Sequence, residues 1–212
     1  PVKPYVRLTH LCFSDPKTYF AELVQHCGHH DVDFVDGVVF SRNEMIITLG
    51  RFTDDAPYAS DYTYKIIYYK SLRERSEDYL TVEDYIWRWD TDWFWCSKNL
   101  LAQNPFIRRL YGRARLNSIT YTRSMRWNSR WKLTRRFDKL FGFHAESVIQ
   151  DVEIPVECAA EFLDFYHDAI RFMPVWICPT RAYDKNAKFD LYRMHPEKLY
   201  INFGFWDVIR AR

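Results

Sequence analysis

Residues 148–204 constrain the fold most strongly, because a strand, a helix and two more strands follow one another there with a turn signal at each junction. Apolar and polar residues alternate from Val148 to Ile154, as in a half-buried strand, and Pro155 ends that strand. Pro174 ends the helix that comes next. The predicted apolar stripe of this helix contains Val156, Ala159, Ala160, Leu163 and Ile170.

Two apolar, β-rich runs complete a β-α-β-β unit, and the first 70 residues repeat its order. The two runs are Val175–Cys178 and Leu199–Gly204. The first 70 residues begin with a predicted strand at Tyr5–Leu11, followed by a helix that Ser14-Asp15-Pro16 starts and Gly28 ends. The predicted apolar stripe of this helix contains Phe20, Leu23, Val24 and Cys27. A hairpin of Phe34–Phe40 and Met45–Leu49 and a further strand at Tyr62–Tyr69 are predicted to follow. We therefore predict an α+β fold, in which two β-α-β-β halves form one mainly antiparallel sheet with helices on one face.

The stretch between the halves is a predicted helical insertion rich in Arg, Trp and Tyr. Helical periodicity occurs at Thr81–Trp89 and at Leu133–Phe141, and Thr81 with Asp84 forms a predicted capping box. Because no Gly/Ser linker interrupts the chain, we predict one domain over 1–212, composed of a first half (1–70), the insertion (71–143) and a second half (144–212).

Charge is distributed unevenly, although the net charge is only +2. Residues 93–137 contain no Asp or Glu and carry these cations: Lys98, Arg108, Arg109, Arg113, Arg115, Arg123, Arg126, Arg130, Lys132, Arg135 and Arg136. Such a block, interleaved with aromatic residues, could contact anionic lipid headgroups, a phosphate-bearing cofactor or nucleic acid. Alternatively, it is a solvated face or is paired within the chain.

Several classes of site and compartment are disfavoured by the sequence. Five cysteines without a CxxC pair favour a reducing, intracellular compartment, and no apolar run reaches the roughly 20 residues of a membrane span. The cluster His26, Cys27, His29, His30 and Asp31 lacks a second ligand group at zinc spacing, so we predict no metal site. A phosphate-cradling Gly-rich loop is also missing, and the chain begins with Pro, which suggests a segment of a longer protein.

Six strings resemble a known enzyme family in their order and spacing. They are YVRL (5–8), FVDGVVFSRNEMIITLG (34–50), YIWRWDTDWFW (85–95), VIQDVEIPVEC (148–158), PVWICP (174–179) and LYINFG (199–204). Together they resemble the C-terminal half of vanillyl-alcohol-oxidase type FAD oxidoreductases, in particular the sterol delta-24 reductases and the actinobacterial methylene-fatty-acid reductases.

This resemblance implies a substrate (cap) domain of ferredoxin-like type, preceded by an FAD-binding domain. It implies reduction of a carbon–carbon double bond in a sterol side chain or methylene fatty acyl chain, with FAD as cofactor and NADPH as electron donor. The location would be cytoplasmic or peripheral on a membrane, which in a eukaryote would be the endoplasmic reticulum. An ether-lipid synthase or an oxidase of the same family remains an alternative, as does a non-enzymatic RNA-binding or membrane-surface module, although we expect no nucleic acid partner.

An isolated alkene needs an acid as well as a hydride, because no carbonyl group stabilises the carbanion that hydride transfer alone would leave. The string at 85–95 offers such groups: Tyr85 and Arg88 as catalytic residues, and Trp87 and Trp95 as aromatic faces for the substrate. Alternatively, this string is a buried aromatic helix with Arg88 paired to Asp90 or Asp92.

By resemblance, the strands beginning at Gln150, Trp176 and Tyr200 face flavin and substrate. Catalytic candidates there are Asp151, an acid or an ion-pair partner of the insertion, and Tyr200; the substrate-binding candidates are Trp176 and Asn202. Spacing by two places Tyr200 and Asn202 on one face, where they could bind a ligand or satisfy backbone groups. The cofactor-binding candidates are Gln150, Cys178, which is expected to be a buried apolar cysteine, and Lys70, which could meet a phosphate or protect a strand edge.

Overall fold

A computed structural model describes residues 2–28, 32–186, 188, 190–191 and 194–211. The strands of this part of the chain are β1 (Tyr5–Phe13), β2 (Phe34–Ser41), β3 (Glu44–Thr53), β4 (Glu77–Thr81), β5 (His144–Pro155), β6 (Val175–Thr180) and β7 (Tyr200–Ala211). The α-helices are α1 (Pro16–Gly28), α2 (Tyr68–Ser71), α3 (Val82–Trp87), α4 (Pro105–Tyr111), α5 (Ser118–Trp131), α6 (Leu133–Leu140) and α7 (Ala159–Phe165). None of the described helices is long and apolar enough to cross a membrane.

The strands form a seven-stranded sheet in the order β4-β1-β3-β2-β6-β7-β5. Pairing is antiparallel between β2 and β3, between β2 and β6, and between β6 and β7. Both halves have the predicted order, because β1-α1-β2-β3 and β5-α7-β6-β7 are each β-α-β-β. The predicted α+β fold is therefore confirmed.

Two compact units can be distinguished among the described residues. The first contains residues 2–7, 52–148 and 206–211, which include the insertion, and the second lies within 8–51 and 149–205. The assignment of 1–212 to one domain stays a prediction.

In the second unit, α1 and α7 pack on the same face of the sheet. The Asp15 carboxylate accepts a hydrogen bond from Thr18 N (2.8 Å) and so caps the start of α1. Tyr19 approaches β2 so closely that a Cβ on Gly37 would lie 2.1 Å from its hydroxyl oxygen. On β7, the Phe203 ring lies 6.0 Å from Phe20 of α1. These contacts explain why the helix needs apolar residues on one side only.

The apolar stripes of the two helices differ slightly from the predicted ones. In α1 the buried residues are Tyr19, Phe20 and Leu23, whereas Val24, expected in the stripe, is 40% exposed. In the second half, Ala159 and Leu163 are buried as predicted, and the buried Tyr166 extends the stripe. The helix reaches Ile170 because α7 continues as a π-helical turn, Tyr166–Ile170.

The predicted strand at Tyr62–Tyr69 is wrong. Asp61 accepts a hydrogen bond from Thr63 N (2.8 Å), which closes an Asx turn, and the segment ends in the short helix α2. The edge strand is β4 instead, whose buried side chains are Asp78 and Leu80. A buried Asp interrupts the apolar alternation by which a strand is predicted, and here Ser60, Tyr62 and Arg75 all donate hydrogen bonds to Asp78.

The insertion is largely helical, as predicted, and its helices have identifiable caps. Thr81 Oγ1 accepts from Asp84 N (3.0 Å), which confirms Thr81 as the N-cap of α3. The Asp84 carboxylate accepts from the Thr81 hydroxyl (2.7 Å) and not, as in a capping box, from its backbone N–H. Asn104 and Asn117 cap α4 and α5. However, α3 ends at Trp87, and the chain then turns with Trp93 and Phe94 at positive φ, so the predicted helix does not continue through the aromatic string.

A buried ion pair holds the insertion together. Arg108 and Asp92 are both almost fully buried, and the guanidinium donates to the two carboxylate oxygens at 2.8 and 3.3 Å. Ser97 Oγ donates to the same carboxylate (2.9 Å), while Arg108 also donates to the carbonyl of Ala102 (3.1 Å). Burial raises the pKa of Asp92, although Arg108 opposes this shift. The ionised side chains of Asp92 and Arg108 can therefore stay buried only because each neutralises the other.

We expect Arg108→Met to lower the free energy of unfolding by about 3–5 kcal/mol, because it leaves Asp92 buried without its counter-charge. Arg109→Met is the matched control: its side chain is exposed, so the change should stay within about 0.5 kcal/mol. Urea denaturation of both variants measures the difference. Equal stabilities of the two variants would contradict the assignment of the ion pair as a structural element.

Candidate functional site

Predicted site residues gather on one face of β5, β6 and β7. In the β6/β7 register Trp176 lies opposite Gly204, Cys178 opposite Asn202, and Thr180 opposite Tyr200. Because side chains alternate along a strand, these six residues share one face, and the residues between them point to the face that α1 and α7 cover. The predicted common face of Tyr200 and Asn202 is thus observed.

Glu153 connects the three strands on this face. Its carboxylate accepts hydrogen bonds from Thr180 Oγ1 on β6 (2.7 Å) and from Asn202 Nδ2 on β7 (3.0 Å). Glu153 and Thr180 were not among the predicted site residues. The sequence spacing could have indicated Glu153, because Asp151 and Glu153 are two residues apart on a predicted strand and must therefore point to the same side.

An open cleft of about 480 Å³ lies beside these groups. It is lined by Asp151, Glu153, Thr180, Arg181, Ala182, Tyr183, Met194 and Asn202. Two of the predicted residues, Asp151 and Asn202, therefore line the same cleft together with a second carboxylate.

The pKa of Asp151 is raised above its ordinary value. Partial burial of its carboxyl group raises the pKa, and the negative charge of Glu153 raises it further. The residue remains exposed overall, so it can exchange protons with solvent. Two neighbouring carboxyl groups of which one is fixed by hydrogen bonds and the other has a raised pKa form the usual arrangement for proton transfer.

The side chain of Asn202 has a buried acceptor atom. A carboxylate can only accept, so the bond to Glu153 identifies the amide nitrogen and leaves Oδ1 on the other side. This Oδ1 atom is buried and has no hydrogen-bond donor within the part of the chain that the structure describes. It therefore fits an N–H donor of a flavin ring or a hydroxyl donor of a substrate.

The remaining predicted residues of the second unit differ in accessibility. Gln150 is exposed and, by alternation, points away from the face of Asp151. Trp176 and Cys178 are half-buried, so Cys178 is less enclosed than expected. Tyr200 is buried, and its hydroxyl accepts a hydrogen bond from His195 N (3.0 Å). It therefore satisfies a backbone group, which is the alternative to binding a ligand.

The first unit contains the other predicted group, in the string at 85–95. Tyr85 is buried, and the Arg88 guanidinium lies 3.9 Å from the centre of its ring and donates to its carbonyl (2.7 Å). Trp87 is 57% exposed. Trp95 is fully buried and donates to the carbonyl of Trp206 (3.3 Å), so its prediction as a substrate-binding face is corrected: it is a core residue.

The acidic residues of this string have other partners than the predicted Arg88. Asp92 pairs with Arg108, and Asp90 accepts hydrogen bonds from the backbone and hydroxyl groups of Ser118. Lys70 is exposed on α2 with its Nζ 5.9 Å from the centre of the Tyr69 ring, so the idea that it protects a strand edge is wrong because no strand is formed there.

The candidate metal cluster is only partly visible. His26 Nε2 lies 3.1 Å from Glu22 Oε1, and His29, His30 and Asp31 lie outside the described residues. The expected absence of a metal site stays a prediction.

The raised pKa of Asp151 predicts how stability depends on pH. A raised pKa means that the folded state binds the proton more tightly than the unfolded state, so the ionised carboxylate is unfavourable above the folded pKa. Asp151→Asn should therefore raise the melting temperature at neutral pH, and this gain should disappear below about pH 3, where the carboxyl is protonated in both states.

Glu157→Gln provides a control of opposite sign. A backbone hydrogen bond and Lys198 lower the pKa of Glu157, so its ionised form stabilises the fold above its unfolded pKa, and this contribution disappears as the pH falls. Its substitution should lower the melting temperature at neutral pH. The same pH trend for both variants in thermal melts would contradict the assigned environments.

No protein-family model matches the chain. Over its whole length it is similar to curated proteins named Delta(24)-sterol reductase: the human protein is 25% identical over 234 residues, covering 100% of this chain and 42% of the relative, and the mouse protein gives the same values. The Caenorhabditis elegans Delta(24)-sterol reductase homolog dhcr-24 is 23% identical over 224 residues, covering 98% of this chain and 41% of the relative. The chain thus spans about two fifths of the length of these relatives. This similarity over the whole chain supports a relation to the sterol reductase family of oxidoreductases.

Proposed function

We propose that the chain is the substrate-binding cap domain of an FAD-dependent oxidoreductase that reduces a carbon–carbon double bond of a lipid. The similarity to Delta(24)-sterol reductases supports the reaction class, and the substrate would be a sterol delta-24 alkene or a methylene fatty acyl chain. The observation that carries the proposal is the pair Asp151 and Glu153 in a cleft, since it supplies the acid that an isolated alkene requires. An FAD-binding domain would precede the chain, and NADPH would be the electron donor.

The reaction adds a hydride to one alkene carbon and a proton to the other. Bound FAD, once reduced, would supply the hydride. Asp151 supplies the proton, because its raised pKa keeps part of the carboxyl population protonated at a pH where an ordinary Asp is ionised. After transfer, the new carboxylate lies beside the charge of Glu153, which favours uptake of another proton from solvent.

Other residues on this face of the sheet position the reactants in this proposal. Asn202 accepts a hydrogen bond from the flavin ring or the substrate through its buried Oδ1 atom. Glu153 orients Asn202 through the 3.0 Å hydrogen bond and is itself held by Thr180. Trp176 and Cys178 share this face of the sheet and provide apolar surface next to the reacting groups.

Asp151 is a better candidate for the acid than Tyr85 or Tyr200. Arg88 covers the Tyr85 ring at 3.9 Å, and a guanidinium there opposes stabilisation of an electron-poor carbon by the same ring. The Tyr200 hydroxyl is buried and bound to the backbone of His195. Roles of Tyr85, Arg88 and Tyr200 in catalysis, and of Gln150, Cys178 and Lys70 in cofactor binding, remain proposals.

The test uses the complete protein and measures reduced lipid product by mass spectrometry. Asp151→Asn should lower kcat by about 100-fold or more, the usual contribution of a positioned acid, while flavin content stays at the wild-type level. Glu157→Gln is the control, because it removes a nearby carboxylate outside the cleft and should leave turnover unchanged. Unchanged turnover of Asp151→Asn would contradict the assignment of the acid, and an oxidised product would favour an oxidase of the same family.

The role of Glu153 is tested by the pH dependence of kcat. Gln can keep both hydrogen bonds, accepting from Asn202 and donating to Thr180, but it carries no charge. The pKa of Asp151 should therefore fall in Glu153→Gln, and the pH above which kcat declines should move to lower values. An unchanged pH profile in this variant would show that Glu153 does not control the acid.

A further inference from the structure

Helices α5 and α6 together expose an unusual amount of apolar surface, which we call the α5–α6 surface (residues 118–141). Its large exposed apolar side chains are Ile119, Met125, Trp127, Trp131, Leu133, Phe137, Leu140 and Phe141. Leu140 is 79% exposed and Phe137 62% exposed. Exposed apolar side chains that lie together, such as Phe137 and Phe141, are typical of interaction sites.

The apolar residues of α6 lie on one side of the helix. Leu133, Phe137, Leu140 and Phe141 are spaced as i, i+4, i+7 and i+8, and the rings of Phe137 and Phe141 lie 4.6 Å apart. The exposed cations Arg135, Arg136 and Lys139 lie between them on the other side. This separation is the arrangement of a helix that lies in the plane of a membrane interface.

The charge of the α5–α6 surface is of one sign. Arg123, Arg126, Arg130 and Lys132 are exposed in addition to the cations of α6. Helix α5 contains no Asp or Glu, and the acidic residue of α6, Asp138, is buried. The exposed side chains of the two helices therefore present cations and apolar groups without a carboxylate.

The surface is held in a defined shape by its own contacts. Lys132, at φ 53°, separates the two helices, and the Asn128 side chain bonds both the backbone N–H (3.1 Å) and the hydroxyl (2.9 Å) of Thr134. The buried Tyr121 anchors α5, and its hydroxyl donates to the carbonyl of Thr91 (2.5 Å). These hydrogen bonds hold the corner between α5 and α6 and connect α5 to the rest of the insertion.

From these observations we propose that the α5–α6 surface docks on an anionic lipid bilayer. The apolar groups of α6 enter the interface, the cations contact lipid phosphates, and Trp127 and Trp131 lie at headgroup depth, where tryptophan is favoured. A second copy of the chain fits less well, because a symmetric contact would bring the same cations together. Nucleic acid would neutralise the cations but leave the apolar side chains in water.

The proposal is tested by flotation of the complete protein with vesicles of phosphatidylcholine alone and of phosphatidylcholine with phosphatidylglycerol. The variant Phe137→Gln/Leu140→Gln should lower partitioning into anionic vesicles by at least about ten-fold, because it removes two apolar anchors. Its control is Phe165→Gln/Leu191→Gln, which changes two exposed apolar residues of the second unit and should leave partitioning unchanged.

A charge variant tests the electrostatic part. Arg135→Gln/Arg136→Gln/Lys139→Gln should weaken binding to anionic vesicles about five-fold per residue, without effect on neutral vesicles. Lys17→Gln/Lys185→Gln/Lys198→Gln changes the net charge equally and should have a much smaller effect. Thermal melts and flavin content establish that each variant is folded.

Equal partitioning of the surface variants and their controls would overturn the proposal. So would a surface variant that binds vesicles normally but loses flavin or changes its oligomeric state, because the surface would then contact the FAD-binding domain or a second copy. Salt-sensitive RNA binding that the charge variant abolishes, with vesicle binding unaffected, would assign the cations to nucleic acid and likewise overturn it.

Discussion

Consecutive side chains of a β-strand leave from opposite faces, and on β6 and β7 this alternation separates two kinds of chemistry. One face carries Phe203 and its apolar neighbours, which pack against α1 and α7. The other face turns Thr180 and Asn202 towards Glu153 of β5. A shift of one residue in the β6/β7 register would bury the polar groups under the helices and expose the core, so the cleft depends on the same pairing as the fold.

The two units also differ in the charged residues that they expose. In the second unit, partial burial raises the pKa of Asp151, and the neighbouring carboxylate of Glu153 raises it further. In the first unit, Asp92 is buried in the insertion and pairs with Arg108. The exposed charged residues of α5 and α6 are cations. An enzyme that takes its substrate from a membrane would use both features, one to approach the lipid and one to protonate it.

Hydrophobic periodicity was sufficient to predict both β-α-β-β halves, because their buried residues are apolar and their junctions carry Pro, Asp or Gly. Periodicity does not predict β4, because the buried Asp78 interrupts its apolar alternation. It wrongly predicts a strand at 62–69, where tyrosines alternate with other residues but Asp61 forms a turn. The family resemblance and the strand spacing lead to Asp151 and Asn202, which line one cleft, although their roles remain predictions. Glu153 is not predicted from the sequence, because its hydrogen bonds connect residues of three strands. Trp95 was expected in the site and is core, since sequence alone does not separate an aromatic lining from an aromatic interior.

The most direct test of the central proposal is the absorption spectrum of the complete protein during anaerobic reduction and reoxidation. We expect a bound flavin whose absorbance is bleached by NADPH and recovers when a delta-24 sterol or a methylene fatty acid is added, with formation of the saturated lipid. A purified complete protein without flavin, or a reduced flavin that neither lipid reoxidises, would contradict the proposal that this chain is the substrate-binding domain of a lipid alkene reductase.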